Sequence, residues 1–272
     1  MDTQIITIYC LCDDMLKTFH HRDDPQCQMT DAEVMTTAIV AALFFGGNFE
    51  KARDFLQTEG YIPAMLSKSR FNRRLYRLEP MFHSLFDLLG AFWSQENHRA
   101  VYILDSFPVA TCDNYRIPRS HRYQGEAWRG YQASKKRYFY GLKIHVMVTE
   151  SGHPVEFFLS PGSYSDTSAY GWYRFDLPQQ AWVTGDKAYT DYVIEDILNE
   201  AGLRMRTMRK ANSKRPWPAW IVYLQASVRK MVETAGSLIE RLLPKSIHSV
   251  KPQGFELKVG LFVLASSLNS LW

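Results

Sequence analysis

Two carboxylates stand where the sequence makes a carboxylate costly. Asp105 directly follows Val101-Tyr-Ile-Leu104, an apolar run of β-branched and aromatic residues that reads as a buried strand. Asp186 follows Ala181-Trp-Val-Thr184 and a glycine in the same way. An acid at the end of a buried strand is unfavourable unless its charge is met. Two parallel strands ending in acids bring both to one sheet edge, where they repel each other and a divalent cation relieves the repulsion. Ligands that are all oxygen suit Mg²⁺ or Mn²⁺. A third acid is expected from a helix packed across the strand ends, and Glu233 is the candidate, with Glu240 as its competitor. Three such acids hold two ions for in-line phosphoryl displacement. Taken singly, each Asp reads better as a turn former or helix cap. Arg229 and Glu233 also read as an i, i+4 ion pair, worth only about 0.3–0.5 kcal/mol. The combination of two strand–Asp junctions with a Glu-bearing helix favours the metal site.

Basic residues gather in two places. In Ser67-Lys-Ser-Arg-Phe-Asn-Arg-Arg-Leu-Tyr-Arg77, the spacing of Phe71, Leu75 and Leu78 turns these three inward. Arg70, Arg73, Arg74 and Arg77 are then expected outside, either as the recognition helix of a helix-turn-helix or as a solvated helix face. Residues 113–137 hold Arg116, Arg119, Arg122, Arg129, Lys135, Lys136 and Arg137 against Asp113 and Glu126, a net charge of +5. Tyr115, Tyr123, Trp128 and Tyr131 are interleaved with them, a mixture suited to phosphate contact and base stacking. Lys143 and His145 share the polar face of the next strand and read either as phosphate contacts or as ordinary surface residues.

The elements that must position these groups fall into two patterns. Residues 1–98 read as a helical N-terminal DNA-binding region. Thr30-Asp-Ala-Glu33 is a capping box, followed by Val34, Met35, Ala38, Ile39, Ala42 and Leu43 on one face. Residues 99–272 read as a catalytic domain. Leu142, Ile144, Val146 and Val148 alternate with Lys143, His145 and Met147 in a strand that turns at Ser151-Gly152 into another. Strands near 181–184 and 203–208 alternate with helices at 189–201, 219–243 and 255–271. The fold expected is α/β, a mixed five-stranded sheet with flanking helices behind an all-α N-terminal region. Residues 209–218 are expected to be a flexible loop.

The chain has 272 residues, 46% hydrophobic and 22% charged, ordinary values for a globular protein with a real core. Its net charge of +4 is weakly basic. No signal peptide is read at the N-terminus, and the longest apolar run is too short to span a bilayer, so a cytoplasmic, nucleoid-associated protein is expected. The four cysteines, Cys10, Cys12, Cys27 and Cys112, are then expected as thiols. A zinc site from Cys10, Cys12, His20, His21 and Cys27 fits no usual finger spacing.

The sequence resembles the DDE transposases of bacterial insertion sequences. The motifs that carry the likeness are Leu104-Asp-Ser-Phe-Pro108, Tyr140-Gly-Leu-Lys-Ile-His145, Ser160-Pro-Gly-Ser-Tyr-Ser-Asp166, Gly185-Asp-Lys-Ala-Tyr189, Arg229 with Glu233, and Gly254-Phe-Glu-Leu-Lys258. The resemblance implies a ribonuclease H-like catalytic domain in which Asp105, Asp186 and Glu233 hold two Mg²⁺ or Mn²⁺ ions. It implies cleavage of element ends and joining of their 3′-hydroxyls to target DNA, with inverted-repeat and target DNA as partners and a homodimer in the synaptic complex. Arg229 and Lys258 are DNA contacts on the same ground. The pattern departs at Ala226, where a Tyr is common, and at Ile239-Glu240, where a basic residue is common. The basic role then falls to Lys245, Lys251 or Lys258, or is absent.

Overall fold

A computed structural model describes residues 1–272, with the side chains of residues 134 and 227–238 outside the description. The chain divides into two compact units. One comprises residues 1–88 and 241–272, the other residues 89–240. The division differs from a single cut near residue 98, because the C-terminal helix returns to the N-terminal helices.

The first unit is helical. It holds α1 (Asp2–Thr18), α2 (Asp31–Phe44), α3 (Phe49–Thr58), α4 (Lys68–Arg77), the start of α5 (Glu79–Glu96) and α8 (Pro252–Asn269). Thr30 caps α2 as expected: its hydroxyl accepts from Glu33 N, and the Glu33 carboxylate accepts from Thr30 N at 2.6 Å. Ten of the residues from Ala32 to Ala42 in α2 and most of α8 are buried, on all sides rather than on one stripe. A helix apolar all round must be enclosed, and α2 packs against α1, α3, α4 and α8. Thr36 and Thr37 are tolerated in that interior because their hydroxyls donate to Ala32 O and Glu33 O one turn back. No single helix among the described residues is long and apolar enough to cross a membrane.

The second unit carries a mixed sheet. Its strands are β1 (Val101–Cys112), β2 (Arg129–Gln132), β3 (Arg137–Thr149), β4 (Pro154–Pro161), β5 (Trp182–Gly185) and β6 (Arg204–Met205). The order is β2-β3-β1-β5-β6, with β4 also on β3. The sheet has six strands, one more than the sequence predicts, because the basic 113–137 segment folds back as β2 along β3; α6 (Tyr192–Glu200) and α7 (Ala219–Leu242) flank it. β1 is antiparallel to β3 and parallel to β5.

β1 does not end at Asp105. It continues to Cys112 along β3, pairing Pro108 with Lys143. A proline argues against a strand interior because it cannot donate to a ladder. Here the parallel partner stops at Leu104↔Gly185, so beyond that point β1 has a neighbour on one side only and accommodates Pro108. The C-terminal part of α5 approaches β4 closely: a β-carbon on Gly90 would lie 2.6 Å from the Val155 carbonyl oxygen.

Gly90→Val is therefore expected to cost about 1–3 kcal/mol, read as a lower denaturation midpoint in urea. Gly171→Ala, with nothing within 4 Å of the added carbon, is expected to stay within about 0.5 kcal/mol.

Candidate active site

Asp105 and Asp186 are brought side by side by the parallel register. The last pair of the β1–β5 ladder is Leu104↔Gly185, so the two acids are the next residues on adjacent strands, which lie about 4.8 Å apart. The segment that follows β5 folds tightly. Asp186 caps the short 3₁₀ turn Lys187–Tyr189, accepting from Ala188 N at 2.5 Å. Tyr189 turns back over Gly185, where a β-carbon would meet its ring at 3.1 Å. The Tyr170 hydroxyl donates to Tyr189 O and holds the turn in place.

Asp105 is largely buried. Desolvation pushes its carboxyl up to about 7, against the hydrogen bond from Ser106 N (2.8 Å) that favours the anion. The negative charges of Asp186, Asp166 and Glu240 push it further in the same direction. Four carboxylates thus share one field, the arrangement expected of a site that takes up cations. All four groups are carboxylates, whose oxygen donors fit hard divalent ions.

Glu240 is exposed near the C-terminal end of α7 and close enough to act on Asp105. The side chains of Glu233 and Arg229 lie outside the described residues. Sequence reading gave Asp166 no role. Its carboxylate accepts from Ser106 Oγ at 2.7 Å and from Lys143 Nζ at 3.3 Å. Strand alternation places Ser106 on the face opposite Asp105, so this network braces β1 from behind.

Several residues expected at the surface are turned inward. His145 is fully buried, bonded to Ser160 Oγ at 2.9 Å and stacked on Phe158 at 4.8 Å. Desolvation pulls its pKa down to about 4, so it is neutral at pH 7 and not a phosphate contact. Lys143 donates to Tyr164 O at 2.8 Å and pairs with Asp166. Alternation mimicked a solvent face because these polar groups find partners under the 158–173 segment.

Arg74 is likewise not on the outer side of its helix. Its guanidinium bonds Asp31 Oδ1, Asp23 Oδ1 (3.3 Å) and Met29 O. It thereby occupies the one place among the described residues where three potential metal-ligand atoms already lie within 4.8 Å of one another, at His21, Asp23 and Asp31. Arg70, Arg73 and Arg77 stay exposed. All four cysteines are free, as expected, and burial pushes the Cys12 thiol up to about 12.

In the 113–137 segment, Arg122 donates to Thr111 O at 2.5 Å, and Tyr123 is buried against Trp128 at 4.1 Å. Arg116, Arg119, Arg129, Lys135, Lys136 and Arg137 remain exposed, with Arg129 3.1 Å from Glu126. Tyr115 and Tyr131 stand out at 72% and 54% exposure. The loop after β6 is more tethered than its composition suggests. Arg209 pairs with buried Glu195 at 2.5 Å and lies over the Trp217 ring at 4.2 Å, and Arg215 pairs with Asp196 at 2.7 Å.

Residues 95–244 match the family described as "Transposase DDE domain". The chain belongs to this transposase family. The cryo-EM structure of a piggyBac transposase synaptic complex with hairpin DNA is similar to the transposase chain at a TM-score of 0.44 and 12% identity, over 98% of this chain and 72% of that one. No curated protein matches the sequence.

The pKa of Asp105 has a consequence for the transposase without metal. A carboxyl raised from about 3.9 to about 7 contributes stability that is present below the unfolded value and lost as pH rises through 7. In chelator, the Tm of Asp105→Asn is expected to gain several degrees on wild type between pH 4 and pH 8. A difference independent of pH contradicts the buried, crowded carboxylate.

Proposed function

We propose that this transposase cuts the ends of a mobile element and joins them to target DNA, with Asp105, Asp186 and Glu233 as its catalytic acids. The observation that carries the reading is the register Leu104↔Gly185, which sets two acids beside each other at the end of a parallel ladder in a transposase DDE domain.

These acids are suited to hold two divalent ions, Mg²⁺ or Mn²⁺. When bound, such ions polarise a scissile phosphodiester and lower the pKa of a coordinated water. The chain's own residues do the rest. Asp105, deprotonated as a cation replaces its proton, lies where the parallel ladder opens. Asp186 is fixed by its turn, and Glu233 comes from α7. Water first attacks an end phosphorus and breaks its bond to the 3′ oxygen, leaving a 3′-hydroxyl. That hydroxyl then attacks a target phosphorus, forming one phosphodiester as another breaks. No protein–DNA covalent bond is required.

The exposed cations Arg70, Arg73 and Arg77, with Arg116, Arg119, Arg129, Lys135, Lys136 and Arg137, are assigned to DNA phosphates. Arg229 is assigned beside the third acid. Bringing two ends together calls for a homodimer in the active complex.

The test uses labelled duplex of the element's end, a supercoiled target plasmid and Mg²⁺ or Mn²⁺. Wild type is expected to join ends to target. Glu233→Gln is expected to fall to background while Glu240→Gln keeps most of the activity; the reverse transfers the third ligand to Glu240. Cleavage without joining would make the protein a nuclease of the same fold. Binding with neither would make it an inactive DNA-binding copy.

A further inference from the structure

The helical unit contains a cavity of about 770 Å³ that none of the chemistry above uses. Ligand pockets commonly occupy roughly 300–1,000 Å³. Its wall is built from the start of α3, the Lys68, Asn72, Leu75 and Tyr76 side of α4, the 246–251 segment and α8. Three lysines line it, Lys68, Lys251 and Lys258, together with His248, against one acid, Glu50. Glu50 is engaged by Arg53 at 3.1 Å and, more loosely, by Lys68 at 3.9 Å.

Lys258 is the informative residue. It is half-buried, and desolvation lowers its pKa. Its ammonium donates to His248 O at 2.9 Å and sits 4.7 Å from the Phe49 ring centre. No carboxylate among the described residues pairs with it. An ammonium has three donors, so two remain for a ligand. A desolvated cation without a counter-charge is unfavourable, and an arriving anion supplies that charge.

Two further features point the same way. Helices α4 and α8 both begin at this wall, at Lys68 and at Lys251-Pro252, and neither has a side-chain cap. Their free amides and positive dipole ends favour an anion. Gly254 lets α8 begin this close to α4: a β-carbon there would lie 2.4 Å from the Tyr76 hydroxyl. Most of the remaining wall surface is apolar or aromatic, from Phe49, Leu75, Tyr76 and Leu257 among others. A bare phosphate needs no such wall, whereas a base does.

We propose that this cavity takes one unpaired nucleotide of a DNA strand, its phosphate at Lys258, Lys251 and Lys68 and its base against Tyr76 and Leu257. The proposal rests on the reading that the chain acts on DNA, but it concerns binding and not catalysis. The probes are fluorescein-labelled duplexes, one with a single unpaired nucleotide and one fully paired, with binding read by anisotropy. Wild type is expected to favour the bulged duplex about tenfold, the scale of one stacked base. Lys258→Met is expected to remove that preference. It also removes a desolvated charge, so its Tm is expected to be no lower than that of wild type. Lys251→Gln, at an exposed position, is expected to lower the preference without touching the interior. Asp105→Asn is expected to retain it. Equal affinity of wild type for both duplexes, or a preference unchanged in both lysine variants, overturns the proposal. Loss of preference in Lys258→Met with no joining by wild type upholds the pocket while the catalytic reading falls.

Discussion

The structure depends on one unfavourable juxtaposition. Parallel pairing of β1 and β5 ends at Leu104↔Gly185 and leaves Asp105 and Asp186 next to each other, with Asp105 largely out of water. Burial and repulsion act together on Asp105: desolvation raises its carboxyl most, and the charges of Asp186, Asp166 and Glu240 raise it further. The surrounding fold keeps this arrangement in place. β3 holds β1 along most of its length, the Ser106–Asp166–Lys143 network anchors its far face, and the Tyr189 turn fixes the start of the Asp186 segment. Such rigidity is what a site needs if cations rather than protein groups are to compensate the charge.

The helical unit handles its acids in the opposite way. Asp23 and Asp31 converge as closely as a metal site would require, yet Arg74 satisfies both. A residue whose spacing suggests a DNA contact is an internal ion pair, and the exposed charge of α4 is left to Arg70, Arg73 and Arg77. Lys258 is the converse case, a cation paired with no carboxylate among the described residues, at a cavity of about 770 Å³.

Much of this was legible in the sequence because it rests on local rules. Apolar runs ending in Asp105 and near Asp186 marked the two strands, the Thr30–Glu33 box marked α2, and the alternation from Leu142 to Val148 marked β3. What was not legible depends on partners distant in sequence. Pro108 disguised the continuation of β1, because its tolerance depends on where β5 stops. His145 and Lys143 looked solvent-facing, because period-two polarity does not reveal that Ser160 and Asp166 cover them. α8 looked like the end of the sheet domain, although its apolar surface belongs with α2. The 209–218 loop looked free, because the pairing of Arg209 with Glu195 spans fourteen residues.

The central claim is that Asp105 and Asp186 form one cation site. Mn²⁺ binding followed by electron paramagnetic resonance at pH 8, on wild type, Asp105→Asn and Asp186→Asn, tests it most directly. The account predicts that wild type depletes the free-Mn²⁺ signal and that each variant alone loses most of that binding. Undiminished binding in either variant would contradict it.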